Sequence, residues 1–412
     1  MLMRILYLVR ERFPSFRPDV TELFGAELPR HGVRCVAVMR SERHAQTTRV
    51  VRMARCAVVV TPYHGRGGLV GKLINCIYLI MGYAAFLSLA WRRSWDIIQC
   101  RDEIGGAWLV QLASLFGTSI KSYWLSFPFP ESSMEEASRS RGLKKRALQI
   151  RGWLGEWLLY RTGLKLVDHV FVQSEQMKRD VARYGISPSK MTSVPMGVQI
   201  REEDIGEYSS LRPRSERLVV SYLGTLTTGR RLDFMVRVIA EVRKIVPDAA
   251  LLLVGAAESQ AERSLIFDEA DRLGVSDAIT ITGFLPRAVA WEKLRESFVC
   301  ASPFFPMFIL NSTSPTKLVE YMALGMPVLA NEHPEQSLLI AESGTGKCVA
   351  WNEAAFAEAI VSMWTNADET LRNATKGPAY VLENRSYRAI GARVYDQYKS
   401  LLRTEAERSL VA

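Results

Sequence analysis

Histidine is scarce in this chain. The five residues His31, His44, His64, His169 and His333 are scattered, and none of them belongs to a cluster that could hold a metal. The six cysteines, Cys35, Cys56, Cys76, Cys100, Cys300 and Cys348, make no Cys-x-x-Cys pair, and most sit in apolar runs. That excludes a zinc ribbon and a disulfide frame and suits the buried, reduced thiols of a cytosolic protein. No nucleic-acid-binding module is visible, so no nucleic-acid partner is expected. The amino terminus passes directly into the strand-like run Arg4-Ile-Leu-Tyr-Leu-Val9, without the ordered charged, apolar and cleavage regions of a secretory leader. A cytoplasmic protein is the expectation.

What is present is an ordinary globular composition with a basic excess. Of 412 residues, 48% are hydrophobic and 23% charged, and the formal net charge is +10. The length is too great for one core and predicts two domains. With nucleic acid set aside, the positive balance points to anionic lipid or to diphosphates. It is concentrated in Arg139-Ser-Arg141-Gly-Leu-Lys144-Lys145-Arg146 and Arg151, which run into the apolar, aromatic stretch Trp153–Tyr160. The pattern reads as a basic amphipathic helix able to lie on an anionic membrane, or as the solvated face of a core helix. A second stretch, Leu73–Trp91, carries no charge over the length of a bilayer span. A buried helix of the first domain is the reading preferred, because the runs Ala57–Thr61 and Ile97–Cys100 on either side of it should join one sheet. A dip into a membrane interface, anchored by Trp91, Arg92, Arg93 and Trp95, is the alternative.

Apolar runs alternate with helical stretches through both halves. Strands are predicted at Arg4–Val9, Cys35–Met39, Ala57–Thr61, Ile97–Cys100, Ile120–Leu125 and His169–Gln173. In the second half they fall at Leu218–Leu223, Ala250–Gly255, Ile279–Thr282, Phe298–Ala301 and Pro327–Ala330. Helices are predicted at Val20–His31, Arg231–Val246, Gln260–Leu273 and Arg287–Glu296. Such alternation predicts α/β architecture, with two tandem Rossmann-like domains whose parallel sheets face each other across a cleft. The polar stretch from Val198 to Glu216 marks the junction. The domains are read as 1–198 and 199–386. A last helix, with Tyr387, Val394, Tyr395, Tyr398 and Leu401 at helical spacing, begins the segment 387–412, and 404–412 reads as a loose tail.

The most informative segment is Ser312-Thr-Ser-Pro315-Thr-Lys317-Leu-Val-Glu320-Tyr-Met-Ala-Leu-Gly325-Met-Pro327-Val-Leu-Ala330. Pro315 suits the first turn of a helix and Gly325 its stop. The N–H groups near Ser314 and Thr316 would then aim at one anion, with Lys317 and Glu320 on one side of the helix. A diphosphate at the helix start and ribose hydroxyls on Glu320 would suit a nucleotide sugar. Upstream, Gly224-Thr225-Leu-Thr-Thr-Gly229-Arg230-Arg231 follows a strand. Its glycine turn lets backbone approach a ligand, and Arg230 is a sound diphosphate clamp. A helix is expected to start near Arg231.

Ser-Pro-Thr-Lys-Leu-Val-Glu-Tyr-Met-Ala-x-Gly-x-Pro-Val resembles the donor-site segment of retaining GT-B glycosyltransferases of family 4. Val194-Pro195-Met196-Gly197-Val198 resembles the hinge side of the same fold. The resemblance implies a glycosyltransferase of the hexosyltransferase type, with Arg230, Lys317 and Glu320 as catalytic residues. It also implies that the last helix crosses back onto the N-terminal domain. Nucleotide binding falls to Gly224, Thr225, Ser314, Pro315 and Thr316, and to Gly283 and Phe284, which lie where the family's backbone reads the nucleobase. No cofactor and no metal is expected, since no Asp-x-Asp pair follows a strand and cations with helix dipoles would serve the diphosphate.

The chain departs from the family pattern in five places. Ser312 stands where many members have a first glutamate, eight positions before Glu320. Thr225 stands where an arginine is common, and Arg230 replaces a lysine, so one cation is lost and one swapped, with Arg231 and Lys317 as the two candidates to compensate. No histidine lies near Ser126, and Phe13-Pro-Ser15-Phe16 replaces a glycine-rich loop. Arg101-Asp102-Glu103 offers either a general-base pair or, more simply, a solvated loop. The expected partners are a nucleotide-sugar donor, a glycan or lipid-linked acceptor of polysaccharide synthesis, and an anionic membrane touched peripherally on its inner face. A nucleotide-sugar epimerase and a non-catalytic nucleotide-sugar-binding scaffold are the alternatives.

Overall fold

The structure, a computed structural model, describes residues 2–65 and 67–411, with side chains described through Glu407. It divides into two compact units, Met1–Gly197 with Tyr387–Ala412, and Val198–Ser386.

The first unit is built on eight strands: β1 (Met3–Phe13), β2 (Val33–Ser41), β3 (Arg49–Met53), β4 (Cys56–Thr61), β5 (Ile97–Arg101), β6 (Ile120–Leu125), β7 (His169–Val172) and β8 (Met191–Ser193). Their order in the sheet is β3-β4-β2-β1-β5-β6-β7-β8. All pairs are parallel except β3 with β4, which are antiparallel with Arg49 opposite Val60. The inner strands are continuous apolar runs because both faces are covered. Tyr7, Phe24 and Trp124 pack on one face, and Leu6, Ile98 and Tyr123 on the other. The sequence pattern does not reveal β3 or β8. β3 is a largely exposed edge strand carrying Arg49 and Arg52, and β8 is three residues long.

Three helices matter on the second face: α1 (Gly68–Arg92), α2 (Gly106–Ala113) and α3 (Gly142–Glu156), which continues as a wider turn to Gly163. The preference for a buried helix over Leu73–Trp91 is overturned. α1 buries only Gly71, Gly82, Phe86 and Ala90, while Leu73 and Ile80 are each 64% exposed. Only one edge of α1 meets the sheet, so its apolar character is not consumed by the core.

The second unit is a six-stranded, wholly parallel sheet of β9 (Val219–Leu223), β10 (Ala250–Val254), β11 (Ile279–Ile281), β12 (Val299–Ser302), β13 (Val328–Asn331) and β14 (Gly346–Val349). The order is β11-β10-β9-β12-β13-β14. Helix α4 (Asp233–Arg243) follows β9, α5 (Thr316–Ala323) precedes β13, and α6 (Pro334–Ser343) follows it. α4 starts later than expected. Arg231 has φ +50 and closes a short 3-10 turn over Thr228–Arg230, a left-handed conformation that cannot continue into a helix. α5 ends at Ala323 before Gly325, whose φ is +64. Pro315 is its N-cap and not its first turn, with ψ 93.

The last helix, α7 (Tyr387–Val411), belongs to the first unit, where Tyr387, Ile390, Val394 and Tyr398 enter its core. Residues 404–411 are helical and not a loose tail, and Ala412 lies outside the described residues.

Candidate active site

In each sheet the strand order reverses beside the unit's first strand, between β1 and β5 and between β9 and β12. Open α/β sheets bind ligands outside the carboxyl ends of strands at such a reversal. The sequence-derived donor residues belong to the segments that follow β9, β11 and β12.

β9 is followed by Gly224, whose N–H donates to Val254 O at 3.0 Å, and Leu226 N donates to Ala256 O at 3.0 Å. These bonds stitch the turn after β9 to the turn after β10. A Cβ on Gly255 would stand 1.9 Å from Gly224 O, so only glycine lets the two turns meet. Gly255 N donates to Thr282 Oγ1 at 3.2 Å, and that hydroxyl donates to Gly283 O at 2.8 Å. Gly224, Gly255 and Gly283 thus form one rim over three adjacent strands. Phe284 follows with its ring 84% exposed, and Thr225 is exposed too. Plain packing of Phe284 is therefore excluded.

α5 brings the cations to this rim. Ser314 and Pro315 are buried and Thr316 is half-buried. Its N-cap, Pro315, makes no side-chain cap bond, and the first N–H groups of a helix have no intrahelical partner. Tyr321 Oη accepts from Leu223 N at 2.7 Å, which ties α5 to the end of β9. Lys317 Cε then lies 3.6 Å from where a Cβ on Gly224 would be. Its Nζ sits 4.8 Å from the Tyr222 ring centroid and 5.0 Å from that of Phe304, and Arg230 Cζ is 5.9 Å from the same Phe304 ring. The two cations share one aromatic floor. Burial pushes the Lys317 ammonium well below its usual pKa, Arg230 pushes it further down, and Glu320 opposes both. Gathering charge of one sign in a desolvated place is unfavourable unless an anion arrives.

The floor itself is braced. Asn331 Oδ1 accepts from Phe304 N at 2.6 Å, and Asn331 Nδ2 donates to Phe304 O at 2.9 Å. Glu320 lies on the side of Lys317, with Arg287 Nε 3.9 Å from its Oε1. Burial raises the Glu320 carboxyl, while Arg287 and Lys317 pull it down. Arg231 is engaged elsewhere, bidentate to Asp233 at 3.0 and 2.8 Å, so it does not supply the compensating cation. Sequence reasoning missed Tyr222, Phe304, Asn331 and Arg287. The signal it passed over was the aromatic run Phe304-Phe305 directly after a strand.

In the first unit the reversal between β1 and β5 is filled by a buried charge network. Arg101, 1% exposed, bonds Glu11, Asp19 Oδ2 at 2.6 Å and Ser126 Oγ at 2.9 Å. Asp102 has φ +57 and accepts from both the N–H and the hydroxyl of Ser126. Burial raises its carboxyl to about 6 against the pull of Arg101. Neither sequence reading of Asp102 survives, since it is enclosed and not a solvated loop, and it has no exposure with which to serve an outside substrate. Ser126 is engaged with these neighbours and not free for a sugar hydroxyl. Nearby, a small cleft of about 20 Å³ is lined by Arg10, Arg40, Glu103 and Thr61 together with Leu79 and Tyr83 of α1.

Comparison with known proteins agrees with this fold. Residues 217–366 match the model of glycosyl transferases group 1, and residues 19–197 match a glycosyl transferase 4-like domain. D-inositol 3-phosphate glycosyltransferases of Segniliparus rotundus and Stackebrandtia nassauensis are 28% and 27% identical, each over 46% of this chain. These matches span 42% and 44% of the relatives' own length. Among solved structures, the sucrose-phosphate synthase of Thermosynechococcus elongatus has a TM-score of 0.69 at 18% identity, covering 98% of this chain and 100% of that one. The Anabaena protein HepE, solved with UDP, has a TM-score of 0.64 at 13% identity, covering 97% and 100%. With both units matched by glycosyl transferase models and the fold shared along nearly its whole length, the chain belongs to the GT-B glycosyltransferases of group 1, family 4.

Proposed function

We propose that the chain moves a sugar from a nucleoside-diphosphate donor to a lipid-linked or growing polysaccharide acceptor, with retention of anomeric configuration. The observation that carries this reading is the convergence of Lys317 and Arg230 on the Phe304 ring beside the start of α5. Departure of the nucleoside diphosphate breaks the bond from the sugar's anomeric carbon to the phosphate oxygen and develops negative charge there. Lys317, Arg230 and the first N–H groups of α5 would stabilise that charge, each such donor contributing about 3 kcal/mol. The acceptor oxygen forms the new bond on the leaving-group face, and its proton passes to the departing phosphate. Glu320 would hold the ribose hydroxyls, and the exposed Phe284 ring with the Gly283 backbone would meet the base. The diphosphate is served by cations of the protein, so no metal is required in this reading.

The acceptor side is assigned to the first unit. Arg10 and Arg40 in the cleft beside α1 would attract the phosphate of a lipid-linked acceptor, with Glu103 as the one opposing charge. Such an acceptor places the enzyme in the cytoplasm, at the inner face of a membrane. An epimerase acting on the donor alone is the weaker reading, because Asp102 is enclosed.

A hydrolysis screen over a panel of nucleotide sugars, in the presence and absence of EDTA, tests the proposal without an acceptor. UDP-glucose is the first donor to try, since HepE is solved in complex with it. One donor is expected to be cleaved, unaffected by EDTA, and Arg230→Ala and Glu320→Ala are expected to lower the rate by about 100-fold or more. Cleavage at full rate in both variants would overturn the site. An epimerised sugar and no free nucleotide would overturn the reaction.

A further inference from the structure

We propose that the outer surface of the α1, α2 and α3 layer is a docking face for an anionic lipid bilayer, with α1 lying in the plane of the interface. This deepens the acceptor reading by naming the partner surface.

α1 and α2 form one layer, flanked by the extension of α3. Phe86 and Ala90 of α1, Ala107, Val110 and Ala113 of α2, and Leu159 and Tyr160 just past α3 enter the same core on one face of the sheet. Trp91 of α1 meets Phe116 after α2 at 5.7 Å and donates its Nε1–H to Leu112 O at 3.4 Å. A Cβ on Gly163, at the end of the α3 extension, would lie 3.1 Å from Ala107 Cβ, so this extension flanks α2 on the core side.

The outer side of this layer is apolar without a cover. Leu69 (85%), Leu73, Ile80, Phe116 (79%), Ile150 and Trp153 (66%) are all exposed. Single exposed apolar residues need no explanation, but a run of them along α1 and past the end of α2, with more on α3, marks an interaction surface. Charge selects the occupant. α1 and the residue after it carry Lys72, Arg92 and Arg93 and no acid, and α3 carries Lys144, Lys145, Arg146 and Arg151 against Glu156 alone. Glu156 is bonded to Arg161 at 3.2 Å, and Lys144 to Glu136 at 3.0 Å. A basic surface with exposed Trp and Leu complements acyl chains rimmed by anionic headgroups.

Among the described residues α1 is the one helix long and apolar enough to cross a membrane, but the fold excludes a crossing. β4 before it and β5 after it lie in the same sheet. Gly82 in mid-helix packs so closely on Thr61 that a Cβ there would stand 3.3 Å from Thr61 Oγ1. The helix is therefore held along the sheet and presents about 37 Å of length sideways.

The test is flotation of the purified full chain with vesicles of phosphatidylcholine alone and of phosphatidylcholine with phosphatidylglycerol, at low and high salt. Capture by the anionic vesicles is expected, weaker on neutral vesicles and weakened by salt. The double variant Leu73→Asp with Ile80→Asp is expected to lose about tenfold or more in vesicle affinity. Lys145→Glu with Arg146→Glu and Arg151→Glu is expected to abolish the preference for anionic vesicles. Both variants should keep the parent's melting temperature, which separates loss of docking from loss of fold. The proposal falls if the parent ignores both vesicle types, or if the aspartate variant floats like the parent. It also falls if the parent is a dimer that the aspartates dissociate, because a second copy then covers the face. No sugar enters this readout, so a chain that floats but cleaves no nucleotide sugar overturns the proposed reaction and not the docking face.

Discussion

Lys317 and Gly224 are held so close that the lysine's Cε stands 3.6 Å from the place a Cβ on residue 224 would take. The lysine comes from α5 and the glycine from the end of β9, and Tyr321 fixes the distance by accepting from Leu223 N. The position of the ammonium is thus a property of two turns packed against each other.

That packing ranks the rim glycines. Gly255→Ala places a methyl 1.9 Å from a backbone oxygen, which no rotamer can relieve. Gly224→Ala meets neighbours at 3.3 and 3.6 Å and a strained φ of +140, and Gly283→Ala meets no atom within 4 Å at φ +74. The expected order of destabilisation in thermal melts is 255, then 224, then 283. The last should cost about 1–2 kcal/mol from backbone strain alone. Equal melting temperatures for the three would contradict the geometry.

Replacing Lys317 by methionine should separate stability from activity. Burial and Arg230 depress the ammonium, so the folded state bears a penalty at neutral pH, where the side chain is charged in the unfolded chain. That penalty lessens only as pH rises from the folded pKa toward 10.5. Lys317→Met removes it, and an increase in Tm of about 2–4 °C is expected together with loss of donor cleavage. A lower Tm would show that the lysine is structural.

The same depressed ammonium predicts how nucleotide binding depends on pH. A diphosphate favours the charged form, so it binds best below the free-state pKa. Affinity should then fall as pH rises through that value, which lies well under 10.5. Calorimetry of UDP binding from mildly acid to alkaline pH checks this. Lys317→Gln should bind more weakly and with a flatter profile, and an unchanged slope would place the titrating group elsewhere.

Acid stability should be governed in part by His169. Its ring is buried, held at 2.9 Å to Thr192 Oγ1, and its pKa is lowered to about 4 by burial and then by Lys178 and Lys190. Because the folded value is below the unfolded 6.5, the stabilisation is present above pH 6.5 and is lost as pH falls toward 4. It amounts to about 3 kcal/mol. His169→Asn should flatten the stability curve over that window in denaturant titrations, and an equally steep curve would remove His169 from the account.

Much of the α/β pattern could be read from the chain because buried parallel strands are unbroken apolar runs. Ile120–Leu125 was bounded correctly from the pattern alone, as was the helix Gln260–Leu273, whose Ser259 and Glu262 form a capping box and whose Gly274 stops it. The edge strands β3, β8 and β14 left no such trace, being short or half-exposed. The long helix α1 was misjudged because hydrophobicity in a sequence does not say which surface, core or solvent, it will meet.

Local chemistry, which travels with the sequence, determined the strand–helix alternation, the glycine turns, and a helix start at Ser314–Thr316 with Lys317 and Glu320 on one side. Contacts between residues far apart in the chain were decided only by the tertiary structure. It set Arg230 and Lys317 over the ring of Phe304, turned Arg231 away onto Asp233, sealed Asp102 beneath Ser126, and left α1 uncovered. Distances and burial arise from packing across the sheet, and no periodicity along a single segment encodes them.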